Sequence, residues 1–352
     1  MDVEYIKGRG AQINTKNPYS NQEYVNEHIE GLDEPAIQEK PKTQLFFENP
    51  KNIISKNDSP DLGWVNSINP YQGCEHGCVY CYARNTHQYW GFSAGLDFET
   101  KIIVKPEAPK LLEKKLMSPY WKPSVIMLSG NTDCYQPLEK EYQLTRGMLE
   151  VLLKYRNPVG MITKNSLITR DIDLLAELAS LNLVAVHVSI TTFDEKLRSI
   201  MEPRTASTIK RMETIKTLSD AGIPVGVMVA PIIPGLNDHE INAIVKKAAE
   251  NGAVSAGYNV VRLNGAVSTL FRDWLTKNFP DRANKVWNLI TTLHGGKVND
   301  AEWGRRLRGD GNIAESIRQM MAIAKSKYLK GRSLPELDLT RFRKCGNYTL
   351  FG

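Results

Sequence analysis

Between residues 125 and 263, short apolar runs alternate with longer amphipathic windows, and this rhythm constrains the fold more than any other feature. The runs are VIMLSG (125–130), VGMITK (159–164), LVAVHVSIT (183–191), VGVMVAPI (225–232) and VSAGYNVVRL (254–263). Each is close to apolar throughout, as expected of a strand buried on both faces. Between them lie EYQLTRGMLEVLLKY, DIDLLAELASL, ASTIKRMETIKTLSDAG and DHEINAIVKKAAENG, whose apolar residues recur at helical spacing. Asp171 and Asp238 mark helix starts, and Gly222 and Gly252 follow last turns. The alternation predicts an α/β fold, a parallel sheet covered by helices. Counting SINPYQG (67–73) as the first strand and its end gives about six βα units, where a closed barrel needs eight. A partial, TIM-like (β/α)6 barrel follows, with a doubly wound sheet as the alternative. In both, ligands gather at the C-terminal ends of the strands.

The flanks differ from this core. Residues 1–60 are polar and weakly periodic and read as an extended lead-in with a mobile start; residues 61–265 form the core. Residues 266–352 are helical in pattern (STLFRDWLTKNF, RANKVWNLITTLH, IAESIRQMMAIAKSKYL) and read as an extension packed on the core. ETKIIVK (99–105) reads as one more strand outside the main series. No apolar leader opens the chain and no run reaches the roughly 18 apolar residues of a membrane span. A cytoplasmic protein is expected, with no membrane partner. The net charge of +6 suits a polyanionic partner without requiring one.

Of five cysteines, three stand within eight positions in NPYQGCEHGCVYCYAR (69–84). An odd count and this crowding argue against a disulfide framework. Cys74, Cys78 and Cys81 lie in a loop broken by Gly73 and Gly77, after the first predicted strand. Structural zinc usually takes four ligands from paired C-x2-C elements, and only one such element is present. His76 or His87 is the candidate fourth ligand on that reading. A [4Fe–4S] cluster on three thiolates, leaving one iron open for a ligand, is the preferred reading.

CEHGCVYC, with Tyr80 before the last cysteine, resembles the C-x3-C-x-Φ-C signature of radical SAM enzymes. The resemblance implies a partial (β/α)6 barrel, a [4Fe–4S] cluster on Cys74, Cys78 and Cys81, and S-adenosylmethionine (SAM) on the fourth iron. Reductive cleavage of SAM then yields a radical that abstracts a hydrogen atom, and an electron donor such as a flavodoxin is implied. Over roughly residues 50–345 the chain is similar to a bacterial branch related to spore photoproduct lyase, a DNA-repair lyase; the motifs are ISKNDSPDLGWVNSINPYQGCEHGCVYCYARNTHQYWG, GLDFETK, NTDCYQPLE and MEPRTAS. By that likeness Asn131, Thr132 and Asp133 surround the methionyl amine, Lys164 and Ser189 meet the SAM carboxylate, and Tyr80 borders the adenine. Arg204 and Asn237 are second-line candidates whose other reading is helix-entry capping. The family's common GGE form is absent at 131–133. Cys134 resembles the lyase's hydrogen-returning cysteine in region but follows the Thr-Asp pair instead of preceding it, so a buried spectator thiol is the competing reading. Cys345 has no motif around it.

On the substrate side, Tyr82 and HQYWGF (87–92) offer aromatics for base stacking. Arg305, Arg306 and Arg308 precede a helix read as capped by Asn312 and Glu315, a phosphate-binding arrangement or a solvated basic loop. Arg341, Arg343 and Lys344 add to the basic tail. A nucleic-acid substrate follows from the lyase likeness and this tail. The rival reading is a non-catalytic nucleic-acid-binding protein stabilised by zinc or by a cluster.

Overall fold

The computed structural model describes residues 5–20 and 42–344. In chain order the strands are β1 (Gln44–Phe47), β2 (Ile54–Lys56), β3 (Asn66–Ile68), β4 (Tyr71–Gln72), β5 (Lys101–Val104), β6 (Ile126–Leu128), β7 (Val159–Thr163), β8 (Val184–Ser189), β9 (Val225–Ile232) and β10 (Ser255–Val260). Six of them, β3, β6, β7, β8, β9 and β10, lie side by side in sequence order and all pair in parallel. This is the expected partial (β/α)6 barrel. β2 caps its outer edge, antiparallel to β3.

The stretch expected as one first strand splits in two. β3 enters the barrel, whereas β4 pairs with β5 in a second, three-stranded sheet that also holds β1. The break falls at Asn69–Pro70, and proline has no N–H to continue a ladder. ETKIIVK thus lies outside the main series, as expected, with only its second half, β5, extended.

Helices Leu144–Tyr155, Ile172–Ser180, Thr208–Asp220 and Ile241–Glu250 connect successive barrel strands. Ser207 caps the third, its hydroxyl accepting the Lys210 N–H. Gly222 and Gly252, at φ +74° and +97°, end the last two in left-handed conformations that favour glycine. Val184, Val186 and Val188 of β8 are wholly buried, as are Leu175 and Leu178 of the preceding helix. The tail helix Gly311–Tyr328 joins the same core through Ile317, Met321 and Ala324. It is capped by Asp310 rather than Asn312, since the Asp310 carboxylate accepts the Gly311 N–H. Helices Ala266–Asn278 and Ala283–Leu293 build a second core with Val79 of the cysteine loop, Met201 and the fully buried Trp274. No described helix is long and apolar enough to cross a membrane.

Residues 9–12 are buried. They form a strap across the cysteine loop, so close that a Cβ on Gly10 would lie 1.8 Å from the Gly77 carbonyl oxygen.

Candidate active site

β4 delivers the chain into the cysteine loop, and glycines let it turn. Gly73 and Gly77 have φ of +83° and +68°, conformations glycine adopts without strain. A Cβ on Gly77 would also meet the Glu99 carboxylate at 2.7 Å. Backbone bonds run from the Cys74 N–H to the Phe98 carbonyl (2.9 Å) and from the Val79 N–H to the Met201 carbonyl (3.1 Å). The wholly buried Arg84 donates to the carbonyls of Cys78 (2.9 Å) and Gly77 (3.1 Å) and pairs with Glu99. Glu99 accepts the N–H groups of Gly10 (3.1 Å) and Ala11 (2.8 Å). One buried ion pair therefore ties the strap to the loop.

Cys74 and Cys78 are buried, Cys81 is partly exposed, and all are free thiols. Burial pushes each thiol up; the charge of Asp133 adds to this at Cys74 and that of Glu202 at Cys78. Lys164 acts the other way at Cys78 and Cys81, and Arg84 does so at Cys81. Three thiolates in such a place need compensating positive charge, which a metal centre supplies. Among the described residues no three His, Cys, Asp or Glu side chains converge as ligands of a single ion. Of the candidate fourth ligands, His76 has both ring nitrogens in use, whereas those of His87 are buried without a hydrogen-bond partner among the described residues. His76 uses its Nδ1 on Asp133 (3.3 Å) and its Nε2 on Asn165 (3.2 Å). His87 is packed against Phe92 and Phe98, and burial lowers its pKa to about 4. Cys74 lies within electrostatic reach of Cys78 and Cys81, so the three thiols share one neighbourhood.

The following strand ends bring most of the expected residues to this loop. After β6, Asn131 and Thr132 are fixed by their N–H groups to Asn69 Oδ1 (2.8 and 3.2 Å). The Thr132 hydroxyl donates to the Tyr71 carbonyl, and the Asn131 amide donates to Gln72 and Thr86. Asp133 is a strut. Its Oδ1 accepts from the Thr163 hydroxyl (2.8 Å) and the Tyr135 N–H (2.9 Å), and its Oδ2 from the Lys164 N–H (2.8 Å) and His76. A carboxylate offers about four acceptor positions, so Asp133 has none left for a further donor. Burial opposes its ionisation, but His76 and these N–H and O–H donors outweigh it and hold the carboxyl below its ordinary value.

Lys164 extends from the end of β7 until its ammonium lies 5.9 Å from the centre of the Tyr80 ring and 3.5 Å from the Ala230 carbonyl. Ser189 ends β8, buried, with its carbonyl held by Arg211 (2.9 Å). The Tyr80 hydroxyl donates to Glu202, which also binds the Thr191 hydroxyl (2.5 Å) and Arg211 (2.5 Å). Burial opposes the charge on Glu202, yet Arg211, then Lys164, hold its pKa at about 2.

Residues 68–248 match the radical SAM superfamily. The chain belongs to that superfamily. An uncharacterised protein of Mycobacterium tuberculosis strain H37Rv is 34% identical over 225 residues, covering 63% of this chain and 66% of its own length, just under two thirds. An uncharacterised protein of Methanocaldococcus jannaschii is 32% identical over 247 residues, 70% of this chain and 88% of its own length. Among solved structures, a spore photoproduct lyase variant with bound AdoMet and dinucleoside spore photoproduct superposes with a TM-score of 0.60 at 16% identity. That match covers 82% of this chain and 80% of the other. At this identity it establishes a shared fold.

Other expected residues of this radical SAM chain are occupied differently. Cys134 is wholly buried in the main core, away from any open surface. Arg204 pairs with Glu75 of the cysteine loop (3.2 Å). Asn237 braces the turn after β9, donating to the carbonyls of Thr191 (2.8 Å) and Pro231 (3.0 Å). Asp171 precedes a helix as expected, but its carboxylate serves Tyr135, Arg146 and Arg170 instead of capping. Tyr82, Tyr89 and Trp90 are exposed, Tyr89 stacking on Tyr19. The three arginines read as a phosphate cradle are internally engaged: Arg305 with Asp300, Arg306 with Asp61 and Ser59, Arg308 with the Tyr258 carbonyl (2.6 Å). In the tail Arg341 pairs with Asp338, and Cys345 lies outside the described residues. Glu202, Arg211, Arg84 and Glu99 were missed, although Glu202 stands inside the quoted MEPRTAS and Glu99 opens ETKIIVK.

Proposed function

We propose that this chain holds a [4Fe–4S] cluster on Cys74, Cys78 and Cys81, binds SAM beside it, and acts by hydrogen-atom abstraction on a nucleic-acid substrate. What carries the reading is the placement of Lys164, from a different strand end, over Tyr80 and within electrostatic reach of Cys78 and Cys81. Such a cluster, when bound, supplies the electron for reductive cleavage of SAM. The Lys164 ammonium and the Ser189 hydroxyl bind the SAM carboxylate, a charge-assisted pairing. Asn131, held by Asn69, offers its side-chain oxygen to the methionyl amine, and Thr132 and Asp133 fix that turn. Tyr80 borders the adenine, held in place by Glu202. Cys134 is a core residue in this scheme, and the group that returns hydrogen to the product is not assigned to it. A one-electron donor of the flavodoxin type would provide the electron such a cluster needs. Nucleic acid as substrate rests on analogy with the lyase, whose solved complex contains a dinucleoside photoproduct.

Anaerobic purification with iron and sulfide assay, then incubation with dithionite and SAM, tests this. Cluster iron and 5′-deoxyadenosine are expected from the unsubstituted protein, and Cys78→Ala loses both. Zinc without iron overturns the reading in favour of the non-catalytic alternative.

A further inference from the structure

The barrel sheet is open. Its two edges are β10 and β2, whereas a closed barrel pairs its first and last strands. On its inner face Met127, Ile162, His187, Met228 and Asn259 are partly exposed, while the residues flanking each of them on the helix side are buried. Solvent therefore reaches the space between the edges. One loop, residues 299–306, crosses that opening. Both of its ends are fixed beside β10: the Leu263 N–H donates to the Val298 carbonyl (2.9 Å) and the Val260 N–H to the Leu307 carbonyl (3.0 Å). Its far side reaches the turn that joins β2 to β3. There the Gly304 N–H donates to Asp61 Oδ1 (2.5 Å), and Arg306 donates to Asp61 Oδ2 and to the Ser59 hydroxyl.

Two features make this loop a unit that can swing. It is braced within itself: Asp300 accepts the Glu302 N–H (2.8 Å) and pairs with Arg305, and the Arg306 N–H donates to the Glu302 carbonyl (2.9 Å). It also lacks an apolar anchor, since residues 301–305 are all exposed, Trp303 to 61%. Segments with few buried apolar contacts open at a free energy well below that of global unfolding. The turn it meets is firm by comparison: the Asn57 N–H donates to the Val65 carbonyl (2.7 Å) and the Asn57 amide to the Trp64 carbonyl (3.1 Å). The contact between them converges on one carboxylate, Asp61, with both oxygens in use. The opening also borders the cysteine loop. Arg262, just past β10, is an electrostatic neighbour of Asp61, Asp300 and Arg306, and equally of Tyr82, which follows Cys81. We propose that residues 299–306 form a flap over the open side of the barrel, latched by Asp61, whose release admits molecules to the cysteine loop from the side. The inference needs neither a cluster nor SAM, and so stands apart from the function proposed above.

The test uses the full-length, cluster-free chain. Asp61→Asn and Arg306→Met open the latch from its two sides, and Asp220→Asn, from the exposed Lys216–Asp220 pair, is the control. Two quantities are read by mass spectrometry: hydrogen exchange in peptides covering 299–306, and the rate at which N-ethylmaleimide labels each cysteine. Losing one hydrogen bond to a charged group raises the open population about tenfold or more. Exchange in the loop and labelling of Cys74, Cys78 and Cys81 should therefore each rise about tenfold in both latch variants and stay at the parent's rates in the control. Cys134, wholly buried in the main core, reports general loosening, and its labelling should stay at the parent's rate in all three variants. Faster exchange in the loop with unchanged labelling of the three cysteines would show a loop that guards nothing. Unchanged exchange in a folded variant would show that Asp61 is no latch, and an equal rise at Cys134 would show general destabilisation. Each of these outcomes overturns the proposal.

Discussion

Glu202 gives the sharpest quantitative test of the site's architecture. Its carboxylate is wholly buried and holds Tyr80, Thr191 and Arg211 at once. Lowering its pKa from 4.5 to about 2 corresponds to about 3 kcal/mol of folding free energy, at about 1.4 kcal/mol per pH unit. Because the folded value is depressed, that contribution is fully present above pH 4.5 and is lost as the pH falls towards 2. Breaking a buried pair from one side costs about 3–5 kcal/mol by an independent route. At roughly 2.1 cal/mol/K of unfolding entropy per residue, 3 kcal/mol over 352 residues is about 4 °C. Glu202→Gln is therefore expected to lower the melting temperature of the cluster-free protein at pH 7 by about 4 °C. Scanning calorimetry of Glu202→Gln, Arg211→Met and the double variant measures this. The double variant should be less destabilised than the sum of the singles, since removing both charges leaves neither unpaired. Additivity within about 0.5 kcal/mol would refute the coupling, and with it the argument that this pair positions Tyr80.

Three further outcomes are expected. Gly10→Ala drives a methyl into the Gly77 carbonyl and dislodges the strap from Glu99; losing two bonds to a carboxylate costs about 3 kcal/mol, visible as faster proteolysis before residue 20 and poorer iron retention. Cys134→Ala removes a fully buried sulfur from the core and should cost about 1–2 kcal/mol in a urea melt while 5′-deoxyadenosine formation is unchanged; its loss would return Cys134 to the active site. Asp133→Asn should destabilise the protein at neutral pH. Because the Asp133 carboxyl is held below its ordinary 3.8, the deficit against the parent should shrink below that pH, and a deficit independent of pH would refute the strut.

The barrel was legible because its signal is local. A run such as LVAVHVSIT, apolar at nearly every position, has few homes except a strand covered on both faces. The cysteine spacing was legible for the same reason, since loop, glycines and thiols are contiguous. What escaped was long-range and charged. Arg84 and Glu99 pair 15 residues apart with both side chains at 0% exposure, yet in sequence a lone arginine or glutamate reads as surface. The reverse error befell Arg305, Arg306 and Arg308, where three neighbouring cations suggested a ligand but each had found an acceptor within the fold. Arg262, placed at the end of an apolar run, keeps its Nε buried without a hydrogen-bond partner among the described residues.

The strap also bears on how the protein is made. Arg9, Gly10 and Ala11 find their acceptors on Glu99, 90, 89 and 88 residues further along. During synthesis they leave the ribosome first and wait for that residue, while the cysteine loop emerges in the interval. A nascent chain therefore passes through a stage with all three cysteines made and the strap's anchor at Glu99 still to come. Once Gly10 settles against the Gly77 carbonyl, the start of the chain and the cysteine loop can no longer move independently.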